Sequence, residues 1–362
     1  MMLPGKHILI SVGTAVIVVF LLLSLFHQNE VQAVAGDPVP AIDCGGVYTA
    51  TVYAEGLSSP DGLAFGPDGL LYVAQETAGV VSQVDASGVV TNVLSGLSSP
   101  EGVAFDDAGN LYVVEDVLTN ARLIRRSPAG VTTTLTSDLV GPEGVVVADD
   151  GTVYVTESNI QEFVATPADA ANARSYVTAV SPSIGVTRIV TSQPQIVSQV
   201  GFNVYVEFLS FSAITLGNDG LLYVANETSG YSTSVDQPPF TVIVTTTKSI
   251  TTVDPLTGAS TLFASNLIGV EGVRFSVGNQ FPLLATEEDV NPDDPNVNGR
   301  LSQVAANGDP SVVCTGFGTI EDVLVDDWGR LYVSEDVSGN GRVIFLDNGL
   351  PRQVYLPMLQ KP

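Results

Sequence analysis

The stretch PDGLAFGPDGLLYVAQE, residues 60–76, contains two short apolar runs separated by a turn. The first run follows a Pro-Asp-Gly sequence, and the second contains Leu-Tyr-Val and ends beside Glu76. The intervening Gly-Pro-Asp-Gly supplies residues that adopt tight-turn geometry at little steric cost. Two apolar runs joined in this way indicate a β-hairpin.

The hairpin pattern occurs six times along the chain. Its copies occupy residues 60–76, 100–115, 142–157, 212–227, 270–287 and 320–335. Two more short strands follow the first hairpin, VVSQV (80–84) and VVTNV (89–93), so that each unit is a four-stranded meander. Six such units, each about 40 to 70 residues long, predict an all-β fold, the six-bladed β-propeller.

Closure of the ring requires an outer strand for the last blade, and two segments compete for that place. GVYTATVYAEGL (46–57) matches the outer strand GVVTNVLSGL (88–97) of the first unit and has no three strands of its own before it. The other candidate is RQVYLPM (352–358), which follows the last unit. We favour the N-terminal segment.

The N-terminus has the pattern of a targeting segment. Residues 8–26 form an uncharged apolar run, and Ala33 and Ala35 are small residues of the kind that signal peptidase accepts. The run also approaches membrane-spanning length, so cleavage after Ala35 is favoured and an uncleaved anchor stays open. Both alternatives place the protein outside the cytoplasm, with membrane contact only through this segment. The predicted division is a signal peptide or anchor at 1–35, a linker at 36–45, the propeller at 46–356 and a tail at 357–362.

Charge and histidine content exclude several function classes. The net charge is −26, from 39 acids and 13 bases, which argues against nucleic acid as a partner because such binding depends on clustered Lys and Arg. The histidines are His7 and His27, both in the targeting segment. A processed chain would therefore have no histidine for a catalytic triad, a general base or a zinc site.

Two cysteines, Cys44 and Cys314, complete the composition. A disulfide is permitted outside the cytoplasm. The positions of the two residues in the repeats do not by themselves indicate that they meet, so the bridge stays open.

Two segments carry a recognisable repeat signature. LYVVEDVLTNARLI (111–124) and LYVSEDVSGNGRVI (331–344) share a Tyr-Val strand, an acid, and then Asn-x-Arg with an apolar residue; NVNGRL (296–301) repeats the second half. This pattern resembles the NHL-repeat and gluconolactonase-like (senescence marker protein) superfamily of six-bladed propellers, over roughly 46–356. The resemblance implies the fold and, for the gluconolactonase-like enzymes, a divalent cation held by a carboxylate and an amide oxygen.

Acidic residues recur at two positions of the repeat. In a blade of this kind the first strand runs down the central channel and the second returns, so both positions fall at the upper face. The first position, before the inner strand, holds Asp61, Glu101, Glu143, Glu271 and Glu321, with Ser212 in the fourth unit. The second, at the end of the next strand, is assigned to Glu76, Glu115, Glu157, Glu227, Glu287 and Glu335. Eleven carboxylates are thus predicted to ring one mouth, although strand-end acids also commonly cap loops by accepting backbone N–H bonds.

Crowded carboxylates favour a cation. Two of them about 6 Å apart repel by roughly 3 kcal/mol at an effective dielectric constant near 20, so the inner five are expected to raise their pKa values or to recruit a metal. Oxygen ligands without histidine suit calcium, our first choice, or magnesium. A second candidate calcium site is Asp294, Asn296 and Asn298, which fit the first half of a calcium loop that lacks its final Glu.

Two functions follow as hypotheses. The first is an exported binding or scaffold module with a divalent-cation site at an acidic channel mouth. Long insertions at 158–174, 192–211 and 228–247 are expected to give its upper face a lid or a surface for a protein or small-molecule partner. The alternative is a metal-dependent lactonase or esterase-type hydrolase, as the resemblance implies. Asp61 matches the Pro-Asp-Gly setting of those enzymes, but their Asn-Gly ligand is missing; the catalytic residues are unknown.

Overall fold

The computed structural model describes residue 39 and residues 41–159, 174–181, 184–192, 195–200, 203–227, 234–237, 240–246, 249–288, 299–336 and 340–350. Every regular element in these residues is a β-strand. No helix in this part of the chain could cross a membrane. The targeting segment and the candidate calcium loop of Asp294, Asn296 and Asn298 lie outside the described residues.

Six four-stranded sheets form the blades of a propeller. Blade 1 contains β2 (Pro60–Phe65), β3 (Leu71–Gln75), β4 (Val80–Val84) and β5 (Val90–Ser95); blade 2 contains β6 (Pro100–Phe105), β7 (Leu111–Glu115), β8 (Ala121–Arg126) and β9 (Thr132–Leu139); blade 3 contains β10 (Pro142–Val147), β11 (Val153–Ser158), β12 (Ser175–Ser181) and β13 (Gly185–Ser192). Blade 4 contains β16 (Ser210–Leu216), β17 (Leu222–Glu227), β20 (Ser249–Val253) and β21 (Ser260–Ala264); blade 5 contains β22 (Val270–Ser276), β23 (Gln280–Glu287), β24 (Gly299–Val304) and β25 (Pro310–Phe317); blade 6 contains β26 (Thr319–Val325), β27 (Leu331–Asp336), β28 (Gly341–Asp347) and β1 (Thr49–Leu57). The six-bladed propeller predicted from the repeats is confirmed.

The N-terminal strand closes the ring. β1 pairs antiparallel with β28, from Thr49 opposite Asp347 to Leu57 opposite Gly341, and so forms the outer strand of blade 6. The chain just before β1 also pairs with blade 5, where Asp43 exchanges backbone hydrogen bonds with Thr315. A disulfide between Cys44 and Cys314 fixes the same junction, which settles the pairing that the sequence left open. The N-terminal segment is therefore the closing strand, as favoured.

The turn residues of the repeat hold the hairpins in register. In blade 1 the carboxylate of Asp68 accepts hydrogen bonds from the Leu70 N–H and from the Tyr72 hydroxyl of the next strand. Asp219 makes the equivalent bond to the Tyr223 hydroxyl in blade 4. Each tyrosine ring packs between blades, where it contributes apolar area while its hydroxyl stays paired. The Gly/Asp turn and the Tyr-Val strand thus act as one unit.

A seventh sheet, absent from the predictions, arises from the insertions around blade 4. It contains β14 (Gln195–Val200), β15 (Asn203–Phe208), β19 (Phe240–Thr246) and β18 (Ser234–Gln237), in that order, with β15 and β19 parallel. The insertions leave the propeller where β13 and β17 end and re-enter where β16 and β20 begin. All four points lie at the end of the blades that carries the channel acids, so the sheet is attached at the upper face.

Candidate functional site

Glycines let the six inner strands converge around the channel. A Cβ at Gly62 would lie 2.5 Å from the carbonyl oxygen of Glu101 in the next blade, and one at Gly272 would lie 2.7 Å from that of Glu321. Gly102 and Gly144 make equally close approaches to the neighbouring inner strands. Glycine at these four positions therefore brings the preceding acid of each blade close to the inner strand of the next.

The inner strands enclose a cavity of about 570 Å³ at this end of the channel. All five predicted channel acids line it, together with Ser212 in blade 4: they are Asp61, Glu101, Glu143, Glu271 and Glu321. Each carboxyl borders the cavity but is surrounded by protein, and this loss of hydration is the main cause that raises the pKa of all five well above the usual range. Repulsion from the neighbouring carboxylates adds to the increase. The predicted inner ring is present.

The second predicted ring is wrong in four of its six members. In blades 2, 3, 5 and 6 the acid at the strand end is buried inside the blade instead of facing the channel; these acids are Glu115, Glu157, Glu287 and Glu335. Each accepts a backbone N–H from the loop before its own inner strand, such as that of Ile268 at 2.5 Å for Glu287. Each also pairs with an arginine of its own blade, respectively Arg122, Arg188, Arg300 and Arg342. These four acids hold the blade together.

The equivalent interior position is neutral in blades 1 and 4. Gln75 accepts the Ser58 N–H in blade 1, and opposite it stands Val80 instead of an arginine. Asn226 takes the place in blade 4, where its amide donates to Ser249. Asn226 is fully buried, so in the folded protein it is inaccessible to the glycosylation that its Asn-Glu-Thr sequence suggests. The repeat must therefore be aligned one residue differently in these two blades.

With that alignment, the residue after the interior position forms the upper ring. Its members are Glu76, Asp116, Ser158, Glu227, Glu288 and Asp336. In four of them the backbone N–H donates to the residue two before the channel acid, as Glu76 does to Ser59 at 2.9 Å and Glu288 to Gly269 at 2.8 Å. Glu76, Glu227 and Glu288 line the cavity itself. The mouth thus carries ten carboxylates in two rings, and the upper ring differs in membership from the predicted one.

Blades 3 and 4 interrupt the two rings with hydroxyl groups. Ser158, Ser175 and Ser210 are fully buried and form a chain of hydrogen bonds, with 3.1 Å between the Ser158 and Ser210 hydroxyls. Ser210 then donates to Glu227 at 2.7 Å. Burial raises the pKa of Glu227, and the hydrogen bond from Ser210 offsets part of that increase.

Arg274 is the basic residue that lines the cavity. Its guanidinium lies 3.1 Å from Asp322, which replaces the channel glycine in blade 6. It also donates to the carbonyl oxygens of Leu63 and Val323, each at 3.4 Å. Asp322 in turn accepts the Leu63 N–H at 3.0 Å. Arg274 and Asp322 therefore tie blades 5, 6 and 1 together below the acids, and this pairing neutralises the charge of Arg274 locally.

The fit of the cavity to a metal ion depends on the positions of its donors. Within the described residues, no three carboxylates converge closely enough to enclose a single ion as they stand. However, Oε1 of Glu143 is buried without a hydrogen-bond partner, and all the ring donors are oxygen atoms, which calcium and magnesium prefer. The donor chemistry fits a hard cation, and direct coordination by three carboxylates would require side chains to rotate.

Comparison with known proteins identifies solved structures with a similar fold. No protein-family model matches the chain, and no curated protein matches it by sequence. A gluconolactonase from Xanthomonas campestris has a similar structure, with a TM-score of 0.59, 16% sequence identity, and coverage of 83% of this chain and 90% of that one. A candidate gluconolactonase from a structural genomics programme has a TM-score of 0.56 at 15% identity, covering 86% and 94% of the two chains.

A third similar structure is described as a candidate oxidoreductase, a glucose dehydrogenase, from Thermus thermophilus. Its TM-score is 0.53 at 16% identity, with coverage of 83% of this chain and all of that one. At these identities the likeness establishes the fold, and the different activities named for the three proteins are a reminder that one propeller hosts several chemistries. The chain has the six-bladed propeller architecture of the gluconolactonase-like proteins, as the repeat signature predicted.

Proposed function

We propose that this protein is a binding module that takes up divalent cations, calcium first among them, in the acidic cavity of its propeller. The observation that carries the proposal is the inner ring of five enclosed carboxyls, whose crowding is relieved either by protonation or by a cation. Oε1 of Glu143 has no hydrogen-bond partner among the described residues, so it can serve as a ligand to an incoming ion. Ions bind there through a combination of direct carboxylate contacts and bridging water.

The proposal also includes a partner that binds at the upper face of the propeller. The seventh sheet is attached beside blade 4, where Ser212 replaces the channel acid, so the cation site and this added surface lie at one end of the propeller. We propose that a protein or small molecule binds there. Export is part of this proposal and is supported by the targeting pattern of residues 1–35 and by the disulfide, because such bonds persist in oxidising compartments.

A metal-dependent lactone hydrolase is the second candidate, and the fold similarity to two gluconolactonase-type structures favours it. A cation in the cavity would polarise the lactone carbonyl and lower the pKa of a bound water. In this chain a ring carboxyl such as Glu101 or Glu143 would take up the proton. Turnover of a panel of sugar lactones with calcium, compared with turnover by the Glu101→Gln and Glu143→Gln variants, separates a hydrolase from a binding module.

The test of cation binding is a thermal and urea melt with calcium, with magnesium, and with a chelator. A site filled to 100 times its dissociation constant stabilises the folded state by about 2.7 kcal/mol. We expect Glu101→Gln and Glu143→Gln to reduce that gain. Asp107→Asn is the matched control, because Asp107 is an exposed carboxylate in the turn between β6 and β7, away from the cavity. A chain whose melting does not respond to any divalent ion would refute the cation site.

A further inference from the structure

A second cavity, of about 490 Å³, lies between the lower halves of blades 5 and 6, beside the disulfide that joins Cys44 to Cys314. The segment before β1 forms one wall of it with Asp43 and Cys44. The cavity is open to solvent, because Val47 and Val312 in its lining are more than half exposed. We call it the lower cavity. Small solutes can therefore come close to the disulfide.

The two halves of the disulfide differ in their access to the lower cavity. Cys44 is among the described residues that line it, and Cys314 is not. Cys314 is 1% exposed and packs in an apolar cluster with Phe317 and Ile320. Thiol–disulfide exchange proceeds by attack of a thiolate on one of the two sulfur atoms, and access decides which one is attacked. In this protein the cavity leads to Cys44.

The disulfide belongs to a set of contacts that hold the segment before β1 against blade 5. Asp43 and Thr315 exchange backbone hydrogen bonds of 3.0 and 2.9 Å beside it. Ile42 is buried in the same apolar cluster as Cys314. Gly316, with a positive φ of 87°, lets the two chain segments approach closely, because a Cβ there would collide with the carbonyl oxygen of Ala41. The disulfide adds a covalent link to these weaker contacts.

The position of this link bears on the closure of the ring. β1 is the outer strand of blade 6, while the other three strands of that blade, β26 to β28, follow Cys314 in the chain. The disulfide therefore ties the closing strand of blade 6 to the outer strand of blade 5. Without it, closure depends on the pairing of β1 with β28 and on the non-covalent contacts of the segment before β1.

The charge beside Cys44 discriminates between thiols. Asp43 lines the lower cavity next to Cys44, and the Gly45 N–H donates to its carboxylate at 2.9 Å. None of the described residues that line the cavity is basic. In water, one unit charge about 6 Å away speeds the approach of a cation about threefold and slows that of an anion by a similar factor. The cavity therefore favours a small thiol that carries an ammonium group.

We propose that the Cys44–Cys314 disulfide is a reducible link in the ring, opened by a small cationic thiol that enters the lower cavity and attacks Sγ of Cys44. The thiolate sulfur forms a bond to Sγ of Cys44 as the protein disulfide breaks, and the electron pair leaves on Sγ of Cys314, which takes up a proton. A second thiolate then attacks the sulfur of the bound thiol and releases Cys44, which is protonated in turn. Two small thiols are oxidised to one small disulfide, and the protein disulfide is reduced to two thiols.

The departure of Cys314 is the slow part of this exchange. A thiolate is destabilised in apolar surroundings, and Cys314 leaves into the cluster of Phe317 and Ile320. The link is therefore durable and yields only to a thiol that is held close to it. This inference concerns the lower face and does not depend on the cation site.

The first test identifies the sulfur atom that is attacked. The folded, oxidised full chain is treated with limiting cysteamine, quenched with iodoacetamide and mapped by peptide mass spectrometry. We expect cysteamine on Cys44 and the alkyl group on Cys314, with about tenfold less of the reverse product. Equal amounts of the two products, or reaction only in denaturant, would overturn the proposal.

The second test changes the charge of the cavity and keeps its shape. The rate of reduction is measured with cysteamine and with 3-mercaptopropionate, which carries a carboxylate in place of the ammonium group. Asp43→Asn retains an oxygen for the Gly45 N–H and should lower the ratio of the two rates about tenfold. Asp107→Asn, in the turn between β6 and β7, is the matched control and should leave the ratio unchanged. A ratio that Asp43→Asn does not alter would refute entry of the thiol through this cavity.

Amide hydrogen exchange tests whether reduction loosens the ring. After reduction and alkylation, the amides of Asp43 and Thr315 should exchange about tenfold faster, whereas those of β7 in blade 2 should be unchanged. The double variant Cys44→Ser and Cys314→Ser should behave like the reduced chain and should not respond to cysteamine. Unchanged exchange at Asp43 and Thr315 after reduction would show that the disulfide does not hold the ring closed, and would overturn the proposal.

Discussion

Glu287 and Glu288 are neighbours in sequence and opposites in environment. Glu287 is fully buried inside blade 5, where Arg300 holds both of its carboxylate oxygens at 2.9 and 2.8 Å. Glu288 lines the cavity among other acids. Successive side chains of a strand point to opposite sides, so one step along the chain moves a carboxylate from a blade interior to the channel. The comparison separates acids that pair inside a blade from acids that line the cavity.

The largest effect on stability is expected when the arginine of the interior pair is removed. Arg300→Val leaves Glu287 buried without its cation, and we expect a loss of about 3 kcal/mol in the free energy of unfolding, measured by urea denaturation. Adding Glu287→Gln recreates the pair that blade 1 already has, Gln75 opposite Val80, and should recover most of the loss. A double variant that is no more stable than Arg300→Val would contradict the assignment of Glu287 as a structural acid.

The cavity acids predict that the free energy of unfolding falls as the pH rises. An ion-paired acid, whose pKa is lowered in the folded state, predicts the opposite. Their pKa values are raised in the folded state, so the folded chain binds more protons than the unfolded chain above about pH 4.5. Each excess proton lowers stability by about 1.4 kcal/mol per pH unit. Without divalent cations, the free energy of unfolding should therefore fall as the pH rises from about 5 through the raised pKa values. Saturating calcium should flatten this slope; a chain equally stable at about pH 5 and about pH 7 in chelator would contradict the crowding of charge.

The repeat made the propeller predictable. Six Gly, Asp or Asn turns, five of them followed by Tyr-Val, specify six hairpins, and the match between residues 46–57 and 88–97 identified the closing strand. The inner acids were predictable because Pro-acid-Gly marks where the chain enters the inner strands of blades 1 to 3, and the repeat places Glu271 and Glu321 at the same position in blades 5 and 6. The seventh sheet could not be predicted, because its central strands β15 and β19 pair in parallel across about 30 intervening residues.

The upper ring was misassigned for a physical reason. Gln75 and Asn226 stand at the interior position, and aligning acid with acid moved Glu76 and Glu227 one residue out of place. The arginine opposite the interior acid was the available signal. It recurs in blades 2, 5 and 6 as Asn-x-Arg, whereas blade 3 supplies Arg188 from its outer strand instead. Blades 1 and 4, where the interior residue is neutral, have no such arginine. A buried carboxylate needs that partner, so a blade without the arginine is expected to carry an amide there.

Neutralising a cavity acid should raise the free energy of unfolding, whereas disrupting an interior pair should lower it. The effect of the cavity acid should be the smaller of the two. In chelator, Glu101→Gln or Glu143→Gln removes one enclosed carboxyl from a ring of like charges, and we expect each to stabilise the fold at about pH 7 by about 1 kcal/mol, measured by urea denaturation. In calcium the same variants should lose stability relative to the unaltered chain, because they lose ligands. This reversal distinguishes a cation site from a ring of acids that only repel one another. Repulsion alone predicts a gain in stability in both buffers. Glu335→Gln, an interior acid that leaves Arg342 without its carboxylate, should lose stability in both.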